Sequence, residues 1–423
     1  MPTIAGNHTL NYNLEALRGY AALAVVFCHM LILYPLFNQY YTPTLLIVLS
    51  PTGHLWVLVF FVLSGYVIAA SNKGHLSRAT IGSYIKKRLL RIYPIYIIAL
   101  IITLLISTAS YSFFEILMNI AMLQVLVVAP LSENGPAWSL HYEVLYYLLF
   151  IPVSSFRLNP VAVLLCALIV ALGNYMFYPN VHTPIISSYL FGFAFWMGGL
   201  CIAKYGRADS DAINYNNMVG VLFLLLGISV ILDRSGLTNW IDVIWHALTN
   251  HHLVYPHVDI LNRTIMSHRD IILLPFCVYA VCVFSGRKFK FHTYLYVLLQ
   301  LLMIAGIVIT LTNFFLSGKH DHIGHFFISV TYYTISLILP RLKFDLIKKM
   351  SVVTLKFGAW LGGISYAIYI LHFPLIFALG RIPFFNSSAL SFSVRLVVFM
   401  LVLLGLSYLL EKKLQPWLKK RLA

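Results

Sequence analysis

Leu14–Met30 reads LEALRGYAALAVVFCHM, and the way it is read decides the fold. Most of it is apolar enough to enter a bilayer, yet it carries Glu15, Arg18 and His29. Eleven residues separate Arg18 from His29, close to three turns at ~3.6 residues per turn, so both side chains fall on nearly one face. Glu15 precedes Arg18 by one turn and can pair with it. At ~1.5 Å per residue, His29 lies ~16 Å further along the axis. The spacing thus predicts a spanning helix with an ion pair near one membrane surface and an imidazole in the opposite half. Ionisable groups at such depth are costly and are functional by default. The plainer alternative makes Glu15 and Arg18 interfacial flanks and His29 a partner in an interhelical hydrogen bond.

Composition extends that reading to the whole chain. Of 423 residues, 60% are hydrophobic and only 10% charged, with a mean hydropathy of +0.85. A soluble core cannot hide that much apolar surface, so the fold class is all-α, polytopic and membrane-integral. Runs long enough to span recur near 15–34, 53–71, 88–107, 138–156, 160–178, 186–204, 217–233, 270–284, 291–315, 323–340, 357–379 and 392–410. That gives about 10–12 transmembrane helices, read as one integral domain over 1–423 with a core of about 11–417 and no fused soluble domain. The net charge of +16 comes from 29 Lys+Arg against 13 Asp+Glu. In a membrane protein such an excess marks cytoplasmic loops, and no stretch interleaves basic and aromatic residues densely enough for nucleic acid. The five cysteines lie in apolar runs and suggest neither disulfides nor a metal knuckle. His246, His251, His252, His257 and His268 share the connection 233–270, but their spacing fits no zinc signature, and no metal is expected.

Loop charge sets the topology. The basic stretches Lys73–Arg91, Lys204–Arg207, Arg287–Lys290, Arg341–Lys349 and Lys412–Arg421 are expected on the cytoplasmic side. The loop Asn38–His54 has no Lys or Arg and is expected outside. An even number of crossings between the first two basic stretches leaves no room for a span at 114–130. That run therefore reads as a re-entrant or interfacial element on the outer side, and both termini fall in the cytoplasm.

Four further stretches carry chemistry. FFVLSGYVIA, Phe60–Ala69, opens a small-residue gap at Ser64–Gly65, which suits close helix packing or a narrow cavity wall. KKRLLRIYP, Lys86–Pro94, puts four basic residues in six positions, suited to phosphate or to anionic lipid headgroups. ENGPAWSLHYEVLYYLLF, Glu133–Phe150, places Trp138 at an interface and Glu143 a turn or more inside, where a carboxylate needs a partner. GGISYAIYILHFPL, Gly362–Leu375, contains His372, a second intramembrane imidazole at a depth comparable to His29.

These five motifs, in this order, resemble the membrane-bound acyltransferase-3 family, which includes O-acetylating enzymes of bacterial surface polysaccharides. The resemblance runs from about Asn11 to Trp417. It implies a multi-pass protein of the cell (inner) membrane that moves an acyl group, by family habit acetyl, from cytoplasmic acetyl-CoA to a sugar hydroxyl of an extracytoplasmic or lipid-linked glycan. Carried over position by position, it implies that Arg18 and His29 form the Arg, ten residues, His pattern. Arg88 and Arg91 then form the donor-binding Arg-x-x-Arg, with Lys86 and Lys87 beside them. Trp138, Ser139, Leu140 and Glu143 match Trp-Ser-Leu-x-x-Glu, and Ser365, Tyr366 and His372 the last motif. Glu15 departs from the family's usual Asp but keeps the charge.

The implied roles are as follows. Arg88, Arg91, Lys86 and Lys87 meet donor phosphates. His29 acts as general base or as acyl carrier. Arg18, held by Glu15, steers phosphate or polarises the thioester, while Glu143 and His372 complete the catalytic group. Trp138, Ser139 and Tyr366 contact substrate. The rival class is a secondary transporter, or an exporter of a sugar-containing substrate. Against it, no repeated halves with matching Gly/Pro-broken helices are visible.

Overall fold

The computed structural model describes residues 6–72, 74–177, 184–208, 214–235, 243, 247, 265–317, 323–383 and 388–422. His246, His251, His252 and His257 lie outside the described residues. The long helices, numbered in chain order, are α1 (Gly6–Ile32), α2 (Gly53–Ser71), α3 (Arg78–Ile106), α4 (Trp138–Ser155), α5 (Pro160–Phe177), α6 (Ile185–Tyr205) and α7 (Tyr215–Ser235). They continue as α8 (Leu274–Ser285), α9 (His292–Ser317), α10 (Ile323–Ile338), α11 (Asp345–Gly362), α12 (Ser365–Gly380), α13 (Ala389–Tyr408) and α14 (Gln415–Leu422). Among the described residues the apolar runs expected to span are largely helical. Eight stretches are long and apolar enough to cross a membrane, or up to nine with one bent pair counted as a span, and α5 and α7 contain shorter apolar helices. The protein is an all-α, polytopic integral membrane protein.

One expectation needs correcting. The run 357–379 is not a single helix: α11 and α12 meet at a 71° bend. Hydropathy is continuous there, but Gly362 and Gly363 favour no helix continuation, and Ile364 adopts φ −132°, ψ 12°, outside helical values. The bend sits against α1, where a Cβ on Gly362 would stand 1.9 Å from the Glu15 carbonyl oxygen. Close approach of the two backbones therefore requires a glycine at this corner.

The stretch 114–130 forms no spanning helix. An eight-residue helix, Phe113–Ile120, is followed by a turn in which Met122 (φ 55°) and Val125 (φ 77°) are left-handed, a conformation uncommon outside glycine. Polar groups hold it there: His141 shares a 2.6 Å hydrogen bond with the Met122 carbonyl, and the Gln124 amide donates to the Ala137 carbonyl at 3.1 Å.

Small residues bring the central helices together, as expected where packing rather than apolar burial drives association. Gly65 of α2 meets Trp196 of α6, and Gly199 of α6 meets Val62 of α2. Gly19 of α1 faces Gly358 of α11. Around these crossings Trp56, Tyr66, Tyr96, Tyr142, Tyr146 and Trp196 are fully buried. The outlying helices α9, α10 and α13 instead present Leu301, Phe327 and Leu401 outward, the surface that a lipid environment accepts. A two-residue antiparallel bridge pairs Arg207 with Lys288. Arg395 of α13 is buried and donates to the carbonyls of Leu36, Leu379, Ile382 and Pro383 at 2.6 to 3.2 Å. It caps the C-terminal end of α12, where a helix presents unpaired carbonyls and partial negative charge.

Candidate active site

The helices α1, α2, α3, α4, α11 and α12, with the C-terminal turn, enclose a cavity of about 890 Å³. Its wall is chemically mixed. Arg18 from the middle of α1, Lys87, Arg88 and Arg91 from α3, and Lys412 and Lys419 from the C-terminal segment supply its cationic part. Glu15, Ser64, Glu143, Tyr147 and Tyr366 line it too, as do Tyr369 and, from the first turn of α4, Ser139.

The cationic part mixes paired and open charges. Arg18 meets Glu15 at 2.6 Å, the i, i+3 pair that spacing predicts. Arg91 donates to Glu411 at 2.8 Å and to Gln415 at 3.0 Å, both from the far end of the chain. Arg88 lies over the rings of Tyr84 and Tyr147, 5.8 and 5.9 Å from their centroids, within cation–π range. Its Nε is buried without a partner. Lys87 lines the cavity, whereas Lys86 is exposed and is not among the lining residues.

Glu143, also in the lining, accepts from Ser64 at 2.9 Å and in a short bond from Tyr147. Trp196 donates to Ser64 at 3.2 Å. The carboxylate is thus held by neutral donors, and His141 takes no part, being engaged by Met122 and Tyr189. Trp138 stacks beside His54 at 6.2 Å. Ser139 and Tyr369 share a 2.7 Å hydroxyl contact, each also reaching the Pro136 carbonyl. Tyr366 donates to the Ile92 carbonyl at 2.8 Å, and Arg91 stands 5.8 Å from its ring centroid.

His29 and His372 are brought together across 343 residues, Nδ1 to Nε2 at 2.8 Å. His372 is fully buried, and its Nδ1 lies 2.6 Å from the Tyr369 carbonyl oxygen. A carbonyl only accepts, so His372 carries its proton on Nδ1 and, when neutral, offers a lone pair at Nε2. His29 must then donate from its own Nδ1, which leaves the His29 Nε2 unprotonated. The Phe373 ring meets the His29 ring edge-on at 5.2 Å. His29 is not among the residues lining the cavity. Tyr369 is, with its ring 5.9 Å from His372 and 5.7 Å from Phe60.

Chemically, the cavity offers cations for a polyanion and a hydrogen-bonded carboxylate, and outside its lining stands an imidazole whose protonated nitrogen is set by a second histidine. Sequence reasoning missed Glu411, Gln415, Lys412, Lys419, Tyr147 and Tyr369. The one available signal was Glu411 itself, a lone acid heading the basic stretch Lys412–Arg421. Among the described residues no three His, Cys, Asp or Glu side chains are placed to hold a metal ion.

Comparison with known proteins points the same way. Acyltransferase MdmB of Streptomyces mycarofaciens is 28% identical over 149 residues, 33% of this chain. The chain spans 38% of the length of that curated relative. No solved structure matches. A family model described as Acyltransferase domain matches residues 11–248, a range that includes Glu15, Arg18, His29, Lys86, Lys87, Arg88, Arg91 and Glu143. His372 and the C-terminal turn lie beyond it. With more than half of its 423 residues matched by that model, the chain belongs to the acyltransferase-3 family.

Proposed function

We propose that the protein transfers an acyl group, acetyl in the first instance, from cytoplasmic acetyl-CoA to a sugar hydroxyl of an extracytoplasmic or lipid-linked glycan. The bacterial inner membrane is its proposed location. The observation that carries this reading is the chain from the Tyr369 carbonyl through His372 to His29. It leaves a lone pair at Nε2 on the same helix face that begins, ~16 Å away, with Arg18 at the cationic part of the cavity.

In this mechanism Lys87, Arg88 and the remaining donors of Arg91 receive the donor's phosphates, and Arg18 steers them. The pantetheine arm lies along Glu143 and Tyr366 towards Ser139 and Tyr369. The Tyr369–Phe60 ring contact parts to admit the thioester carbonyl to His29. As general base, Nε2 takes the proton of the sugar hydroxyl while its oxygen bonds to the carbonyl carbon. The carbon–sulfur bond then breaks, and the thiolate recovers the proton from His29. As carrier, Nε2 first bonds to the carbonyl carbon as the carbon–sulfur bond breaks and thiolate leaves; the sugar oxygen later bonds to that carbon, the Nε2–carbon bond breaks, and the hydroxyl proton passes to the freed Nε2 and from it to thiolate. His372 accepts the hydrogen bond from Nδ1 throughout and stabilises the cationic ring. Trp138, exposed in part beside His54, offers a ring face to the sugar.

The test uses protein in proteoliposomes with acetyl-CoA labelled on the acetyl group. Wild type is expected to release CoA, and His29→Ala to lose roughly 10²–10⁴-fold of that rate while keeping its melting temperature. Label retained on wild type and absent from His29→Ala identifies the carrier route; release without retention identifies the base route. A fully active His29→Ala variant removes His29 from the mechanism.

A further inference from the structure

The C-terminal segment contributes more to the cavity than a wall. The long helix that begins as α13 loosens into a π-helical turn at Leu409–Leu414 before α14, a rare geometry that recurs at functional sites. That turn points Glu411 inward, its side chain 1% exposed. One carboxylate oxygen takes Arg91 of α3 at 2.8 Å, and the other accepts from the Ala367 amide in the first turn of α12 at 3.3 Å. Gln415, one turn on, accepts from Arg91 and donates to the Arg91 carbonyl at 2.7 Å. The segment is therefore fixed to α3 and α12 by a buried ion pair and three hydrogen bonds, rather than lying loosely on the surface.

What this clamp holds out is a pair of cations. Lys412 of the π-helical turn and Lys419 of α14, seven residues apart, both line the cavity. Their neighbours Lys413 and Lys420 do not. The Lys412 amine lies where a Cβ on Gly363 would come within 2.7 Å of it, so the glycine at the α11–α12 corner gives it room. Lys419 is close enough to feel the charges of Arg88, Arg91 and Glu411. Among the described residues, the ion pairs at this end engage Arg18 with Glu15 and Arg91 with Glu411. Lys87, Arg88, Lys412 and Lys419 have no carboxylate partner there. Four like charges held around one cavity, one of them with a buried unpartnered Nε, repel one another and are stabilised by a multiply charged anion.

We infer that Lys412 and Lys419 are phosphate ligands of the acyl donor, so that the donor site is split between α3 and the C-terminal segment, with Arg91 joining the halves through Glu411. The inference rests on the acyltransferase reading above. The ligand chemistry is clustered phosphate, which an anionic lipid headgroup shares.

The test measures binding of unacylated CoA to the full-length protein reconstituted in phosphatidylcholine vesicles, and again with phosphatidylglycerol added. Wild type is compared with Lys412→Gln/Lys419→Gln and with Lys413→Gln/Lys420→Gln, which removes the same charge from outside the cavity. Melting temperatures confirm that all three are folded. The inference expects Kd for CoA to rise at least about tenfold in the first variant and less than threefold in the second, in both lipids. It also expects S-acetyl-pantetheine, which has no phosphate, to bind wild type and both variants alike. Equal weakening in the two variants reduces the effect to bulk charge and overturns it. Loss of the effect in one lipid assigns the lysines to headgroups and overturns it as well. Unchanged CoA affinity in Lys412→Gln/Lys419→Gln overturns the inference while leaving the acyltransferase reading intact. Failure of wild type to bind CoA in either lipid brings down both.

Discussion

At the scale of single residues, the mechanism proposed above turns on which nitrogen of His29 carries a proton. That choice is imposed by His372 at 2.8 Å, which is itself fixed by the Tyr369 carbonyl. Replacing His372 with Phe keeps an aromatic ring but removes the acceptor. The His29 ring then loses its tautomer lock, and kcat is expected to fall by roughly 10²-fold or more with little change in donor KM. A steady-state KM-against-kcat comparison checks this; an equal loss in both parameters would mean that His372 only supports packing. The Glu15–Arg18 contact follows from helix spacing and is present at 2.6 Å. The pairing of Arg91 with Glu411, 320 residues away, leaves no mark in local sequence. Charged residues three or four apart advertise themselves, but charges joined only by the fold do not.

At the scale of helices, close packing of α2 on α6 depends on two glycines. A Cβ at Gly65 would stand 1.9 Å from the Trp196 carbonyl oxygen, and one at Gly199 2.0 Å from that of Val62. Both obstacles are backbone, which cannot swing aside. Gly199→Ala is therefore expected to destabilise by about 1–3 kcal/mol or more. Gly173→Ala on α5, with nothing within 4 Å, should be neutral or slightly stabilising, since Ala is the better helix former by about 1 kcal/mol. Thermal unfolding in detergent distinguishes them, and equal melting temperatures would contradict the packing described. Most of the apolar runs become helices because length and hydropathy suffice to mark a candidate span. The bend at Gly362–Ile364 escapes the same criterion, because the residues on both sides remain apolar and only a pair of glycines marks the corner.

At the scale of the whole molecule, the bridge between Arg207 and Lys288 puts two basic stretches side by side and so at one end of the bundle, whichever way it lies in a membrane. The excess of Lys and Arg there argues for the cytoplasmic side. In a cysteine-free background, a membrane-impermeant maleimide is expected to label Tyr40→Cys in intact cells and Lys290→Cys only after permeabilisation. The reverse pattern would invert the topology and, with it, the side from which the proposed donor would enter.

The cavity is lined by Tyr369 but by neither His29 nor His372, so it stops short of the paired imidazoles. A protein that hands an acetyl group across a bilayer through a continuous water path would also conduct protons and small ions. In the acyl transfer proposed above, a cavity that stops short of His29 would keep the membrane potential from being short-circuited while the protein waits for substrate.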